Sequence, residues 1–341
     1  MNAPFPLLSA EELSRLRQAV GQRSEELARE LDWLDNVEVV QPATGEPGSA
    51  DSLKVVVFNA ERGNRFRGIR SLLAGHPALR DADVVLLSEV DWGMARSGNR
   101  HVARELAQEL GLGYAFGVEF LELTKGEAAE LEAEGDNTWS FHGNAILSRL
   151  PLANARVVRL PRRCSWAAGS QLRIGGRMAL VAEIDGHGVP ITIASVHLEN
   201  RTDPHGRREQ METVISALAA GPAIVAGDLN TSTIDAGVDE QIFSVPSLLA
   251  ENPERLRRPE PWEPLFADMR AAGFLVDELN PPGVPTSVPM GIADPSFWLK
   301  LDWIFARGLT SRGAATVLSA VSEGDRVSDH DFLVAQFLLP G

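Results

Sequence analysis

Between residues 53 and 338 the chain alternates short apolar runs rich in β-branched residues with stretches of helical period. The apolar runs cover 53–59, 83–88, 141–148, 178–184, 191–197, 223–227, 301–306 and 332–338, each of strand length. Many are apolar at consecutive positions rather than at every second one, the pattern of sheets covered on both faces. Helical spacing predicts a helix over 99–110 closed by Gly111 and another over 205–219 closed by Gly221. Strands and helices do not alternate strictly, so the expected architecture is two packed mixed sheets with helices outside. Ahead of this the pattern differs. Ser9 and Glu12 form a capping box, and Leu13, Leu16, Val20, Leu27, Leu31 and Leu34 recur at helical spacing. Residues 1–40 therefore read as an amphipathic helical extension outside the main domain, 53–341. Its apolar stripe is expected to pack on that domain or on a second copy of the chain; a membrane-surface role is disfavoured by the mixed charge of its polar face. Residues 41–51 are a loop, and two stretches read as insertions: the acidic, helix-prone 119–139 and the Pro- and Trp-rich 231–299.

A chain of 341 residues with 44% hydrophobic content can bury a sizeable core. Lys plus Arg is 32 against 47 for Asp plus Glu, a formal charge of -15. That balance argues against wrapping duplex DNA, whose non-specific affinity comes from phosphate neutralisation, but leaves room for a local basic groove. Cys164 is the single cysteine, which excludes an intramolecular disulfide and a zinc cage of several thiolates. No segment reaches transmembrane length and the first residues lack a basic stretch followed by an apolar run, so the expected location is the cytoplasm.

Polar residues cap the apolar runs in a fixed order: Asn59 after LKVVVF, Glu89 after DVVLLS, His197 after ITIASV, Asp228 and Asn230 after AIVAG. Asp302 opens LDWIF, and Asp329 with His330 precedes DFLVAQF. Singly, each has an ordinary explanation: a strand-end charge, a turn-forming Asn, a satisfied core His. Together they offer what hydrolysis of a phosphate ester around a hard cation needs. Glu89, Asn59 and Asp329 are oxygen donors suited to Mg²⁺, with Mn²⁺ as an alternative. Asp228 is the candidate general base with Asn230 as its orienting partner, and extended geometry would point both the same way. His197 can protonate a leaving oxygen. Asp302 and His330 read as a dyad in which the carboxylate fixes the tautomer and favours the imidazolium. Arg96 and Asn99, close after Glu89, are candidate contacts to a substrate phosphate. Asn144 fits strand pairing better than chemistry. Trp139, Trp166, Trp262 and Trp298 suit core packing as well as base stacking or an apolar pocket.

The ordered set FNAERG, LLSEVD, HGNAILSRLP, ASVHLEN, AGDLN, KLDWIF and SDHD resembles the endonuclease/exonuclease/phosphatase superfamily, which includes DNase I-like nucleases, neutral sphingomyelinases and inositol-polyphosphate phosphatases. The resemblance covers nearly everything but the N-terminal helix. It implies an α+β fold, a four-layer α/β/β/α sandwich, and a catalytic domain over 53–341 that hydrolyses phosphoesters, phosphodiesters first, with Mg²⁺. Its motifs place Asn59 and Glu89 at the metal, Asp228 and Asn230 at the water-activating pair, His197 at a position that is His in DNase-like branches, and Asp302, Asp329 and His330 at the closing acid and histidine positions. The chain departs from the pattern at Glu61, where several nucleases have Asp, at Ser88 in place of Gln, and at Phe332 in place of Pro. Nuclease, lipid or small-molecule phosphoesterase, and a catalytically dead binding module all remain open.

Overall fold

In a computed structural model the described residues are 4–43, 51–166, 171–231, 252, 254–289, 291 and 294–339. Two mixed sheets stack face to face. The larger contains β1 (Val37–Val40), β2 (Ser52–Arg62), β3 (Val84–Trp92), β4 (Gly113–Glu122) and β5 (Phe141–Ser148). The second contains β6 (Ala153–Arg159), and β7 (Arg173–Gly175) returns to pair with β4 of the first. β8 (Met178–Gly186), β9 (Val189–His197), β10 (Ala223–Asp228) and β11 (Asp302–Arg307) complete the second sheet, ordered β11-β10-β9-β8-β6. After β12 (Thr310–Ser311), β13 (Thr316–Leu318) and the hairpin of β14 (Val321–Ser322) with β15 (Asp325–Arg326), β16 (Phe332–Leu338) closes the first sheet. Its order is β1-β4-β5-β3-β2-β16-β12.

Strand alternation builds three apolar layers. Val55, Val57, Val84 and Leu86 of the first sheet meet Leu180, Ile193, Ile224 and Ile304 of the second. Val56, Phe58, Val85 and Leu87 point the other way, onto α1 (Ala10–Glu30), α2 (Phe66–Gly75) and α3 (Val102–Leu110). On the far side Val196, Val225 and Phe305 pack under α4 (Pro204–Ala217) and α5 (Leu265–Ala271). Each fully buried side chain of this kind contributes roughly 1.5–3 kcal/mol. This is the four-layer α/β/β/α sandwich. No described helix is long and apolar enough to cross a membrane.

The N-terminal segment is not a separate extension. Ser9 caps α1 with the capping box, and Leu16, Val20, Leu27 and Leu34 enter the core of the larger sheet. Val37–Val40 then pairs antiparallel with β4 as an edge strand. The apolar stripe thus packs on the domain itself, one of the two placements expected of it. Of the expected insertion 119–139, residues 119–122 finish β4, where Glu119 and Glu122 are fully buried; the remainder is a loop with one 3₁₀ turn, Ala128–Glu132. Gly111 closes α3 as expected with φ 68°, whereas α4 ends at Leu218, before Gly221. Of 231–299, residues 232–251, 253, 290 and 292–293 lie outside the described residues.

Candidate active site

At one end of the sandwich the inter-sheet core gives way to polar side chains, and strand register explains which ones. Val55 and Val57 face inward in β2, and Asn59 is next in that series. Ile224 and Ala226 lead to Asp228, Ile191 and Ile193 lead through Ser195 to His197, and Asp302 sits two residues before Ile304. Parallel pairing sets Asp228 beside His197, and antiparallel pairing sets it beside Asp302. Gly227 permits this closeness: its φ is 146°, and a Cβ there would lie 1.9 Å from the Val196 carbonyl oxygen.

Glu89 arrives differently. Register shifts between Leu87 and Val90, and Glu89 sits in the resulting bulge with φ 52°. A matching shift in β2 lies between Asn59 and Arg62, where Glu61 and Arg62 have φ 43° and 66°. A left-handed backbone costs a non-glycine residue roughly 1–3 kcal/mol, and three such residues lie in these two bulges.

The side chains converge. Asn59 Nδ2 donates to Asp228 Oδ2 (3.0 Å) and Glu89 Oε1 (3.3 Å), joining the two sheets. His330 Nδ1 is 2.7 Å from Asp302 Oδ2, and its Nε2 is 3.7 Å from Asp228 Oδ2. His197 Nε2 is 3.7 Å from that same oxygen and 3.9 Å from Glu89 Oε1. The loop before β11 supports the dyad: Thr286 Oγ1 accepts from the Asp302 amide, and the Val288 amide donates to the Asp329 carbonyl. Burial alone would lower the His330 pKa, but Asp302, Asp228 and Asp329 hold it well above the ordinary imidazole value. Burial pushes Glu89 up, yet Arg62, His197, His142 and His330 outweigh it and keep the carboxyl well below its usual range. Asp329 and Glu61 are raised, by burial first and then by neighbouring carboxylates against opposing His330 and Arg65.

This donor set fits a hard divalent cation. Ligand atoms of Glu89, His197 and Asp228 lie within 4.8 Å of one another, as do those of Asp228, Asp302 and His330. Asp302 Oδ1 is buried with no hydrogen-bond partner among the described residues, and burial together with neighbouring carboxylates disfavours the charged forms of Asp329 and Glu61. Carboxylate and carboxamide oxygens predominate, as Mg²⁺ or Mn²⁺ prefers.

Three expectations need adjustment. Asn230 does not extend parallel to Asp228: the chain turns left-handed there (φ 50°), its amide donates to Asp228 Oδ1 (2.9 Å), and its Nδ2 bonds the Leu198 carbonyl (3.0 Å). It orients Asp228 through the backbone. Arg96, with a side chain only 1% exposed, is forked onto buried Asp91 (2.8 and 2.9 Å), so it is not presented to a substrate. Asn99 pins the loop before β5, bonding the Asp136 carbonyl and the Thr138 amide. Asn144, as expected, is structural and reaches across to the Met178 carbonyl. Trp139 packs against Trp92 in the core, while Trp166 donates to Glu199 (3.0 Å) and lies under Arg201.

Sequence reading passed over Glu119 and Arg177. Glu119 Oε2 lies 3.4 Å from His197 Nδ1 and Oε1 accepts from Arg177 (2.8 Å). Burial raises Glu119, but Arg177 and His197 pull it down to about 2. Arg177 also lies against the His197 ring and near Glu199. The signal was present: a carboxylate amid the apolar run of GYAFGVEFLE, inward-facing four residues after Ala115.

A family model for the Endonuclease/Exonuclease/phosphatase family matches residues 56–330. Among solved structures, an endonuclease/exonuclease/phosphatase from Beutenbergia cavernae DSM 12333 superposes with a TM-score of 0.56 at 20% identity, over 85% of this chain and 72% of that one. A 3'-5' exonuclease from Neisseria meningitidis gives 0.52 at 17% identity, over 84% and 99%. The human Nocturnin catalytic domain with bound sulfate gives 0.51 at 18%, over 89% and 96%. At these identities the likeness is one of fold. No curated protein sequence matches the chain.

Proposed function

Because the chain belongs to the endonuclease/exonuclease/phosphatase family, a family of hydrolytic phosphoesterases, we propose that it is a divalent-cation-dependent phosphodiesterase. Asn59, Glu89 and Asp329 would hold Mg²⁺ or Mn²⁺, which when bound supplies positive charge to the phosphoryl group and acidifies water. Asp228, fixed by the Asn230 amide, takes the proton of the water that attacks phosphorus. The new P–O bond forms opposite the leaving oxygen, whose bond to phosphorus breaks. His330, kept protonated by Asp302, donates from Nε2 to a phosphoryl oxygen. His197, backed at Nδ1 by Glu119, delivers a proton from Nε2 to the departing alkoxide. Such acid–base steps typically contribute about 10²–10⁴ each.

One observation carries this reading: the Nε2 atoms of two imidazoles lie 3.7 Å from the same Asp228 oxygen, His330 with Asp302 2.7 Å from its Nδ1 and His197 with Glu119 3.4 Å from its Nδ1 and Arg177 across the ring. A dead binding module would have little use for that arrangement beside an intact Glu89. The test is hydrolysis of bis(p-nitrophenyl) phosphate with Mg²⁺ or Mn²⁺ and with chelator. Turnover should vanish in chelator and return with added ion; equal rates in both would end the proposal.

A further inference from the structure

Three loops that continue from the strands of the acidic cluster enclose a cavity of about 450 Å³, large enough for a small-molecule group. Its walls follow or precede the proposed metal ligands in sequence: 64–68 after Asn59, 96–100 after Glu89, and 322–327 before Asp329. The link to the site is short. Arg65 bonds Glu61 (2.8 Å), whose amide donates to Asn59 Oδ1 (3.0 Å), and Val327 is two residues from Asp329. Gly68 brings the first turn of α2 hard against the β14–β15 hairpin, since a Cβ there would meet Val327 Cγ1 at 2.3 Å.

The cavity reverses the charge of the molecule. A chain of net -15 lines it with five arginines against Glu323 and Asp325. Two are committed, Arg96 to Asp91 and Arg326 to Asp331 (2.7 Å). Arg65 and Arg100 hold partly exposed partners, Glu61 and Glu105. Such pairs are worth about 0–1 kcal/mol and can be exchanged for a phosphate. Arg67 is exposed and makes no ion pair among the described residues. Arg100 is further steadied over the Phe66 ring, 4.7 Å from its centroid. Guanidinium forks around a concave space match phosphate oxygens geometrically.

We propose that this cavity is a subsite for a second phosphate, so that preferred substrates carry another phosphoryl group near the scissile one. The inference rests on the phosphodiesterase reading for the orientation of the substrate, while the anion site can be tested without turnover. Calorimetric titration of the full chain with Mg²⁺ would compare thymidine 5'-monophosphate, thymidine 3',5'-bisphosphate and myo-inositol 1,4-bisphosphate. At least one bisphosphate should bind about tenfold more tightly than the monophosphate. Arg67→Ala combined with Arg100→Ala should erase that ratio, and Arg67→Lys should keep most of it. The tighter bisphosphate names the source, a nucleotide chain or an inositol headgroup. A ratio near one in the unaltered protein, or a ratio that survives the double substitution, overturns the subsite. A protein that shows the ratio but hydrolyses no phosphodiester keeps the subsite and loses the catalytic reading.

Discussion

The two sheets each contribute half of the site through the same connection. In the first, β2 and β3 are parallel neighbours joined across α2, and their carboxyl ends present Asn59 and Glu89. In the second, β9 and β10 are parallel neighbours joined across α4, ending in His197 and Asp228. An antiparallel strand then brings acidic groups from the opposite direction, β16 with Asp329 and His330 in one case and β11 with Asp302 in the other. The crevice outside the carboxyl ends of parallel strands is where such sheets bind ligands. The halves differ in regularity. β9, β10 and β11 keep unbroken register to their last polar residue, whereas β2 and β3 both slip just where Glu61, Arg62 and Glu89 turn left-handed. Regular pleating suffices to line up imidazoles and carboxylates at one edge. Alternation alone would not turn Glu89 into that row, because Leu87 packs on the helix side of the sheet; the bulge does so, at the cost of strain.

If that division holds, substitutions in the two halves fail differently. Asp228→Ala should lower kcat on bis(p-nitrophenyl) phosphate by about 10²–10⁴ with little change in the Mn²⁺ concentration giving half-maximal rate. Its thermal midpoint should hold or rise, because one of several crowded carboxylates is gone. Glu89→Gln should instead raise the Mn²⁺ requirement by about 10–100-fold, with part of the rate recovered at high metal. Matching kinetic signatures from the two variants would erase the distinction between a proton-handling half and a cation-binding half.

The same division governed what could be read from sequence. Every strand placed in advance was a largely apolar run of strand length, and the inward series that ends in Asn59, His197, Asp228 and Asp302 follows from alternation alone. β4 escaped because Gly113, Gly117, Glu119 and Glu122 break its apolar run, although those glutamates are buried partners of Arg177 and Arg173. β6 escaped because it is a half-exposed edge strand. Arg96 looked available by its nearness to Glu89, but nothing local shows that Asp91 turns inward to meet it. Arg207 is buried against Glu263 and ties α4 to the chain before α5, a pairing 56 residues apart that no local pattern announces. Bulges and long-range ion pairs are tertiary facts, and they decided the cases where local pattern was silent.

The smallest expected effect isolates the strain itself. At Glu89, alanine removes the carboxylate but keeps a Cβ at φ 52°, whereas glycine removes both. Glu89→Gly should therefore be more stable than Glu89→Ala by about 1–2 kcal/mol, the penalty for an L residue in this region. At Asp302, in a regular strand, the order should invert: alanine should exceed glycine by about 0.5–1 kcal/mol, since glycine loses more backbone freedom on folding. Urea denaturation of the four variants, in chelator so that cation binding does not contribute, gives both differences on one scale. Because each compares two neutral small residues at one position, the lost charge cancels and the backbone term remains. The same sign at both positions would mean that the Glu89 bulge is relaxed in solution, and the contrast between the two halves would then lie in their chemistry alone.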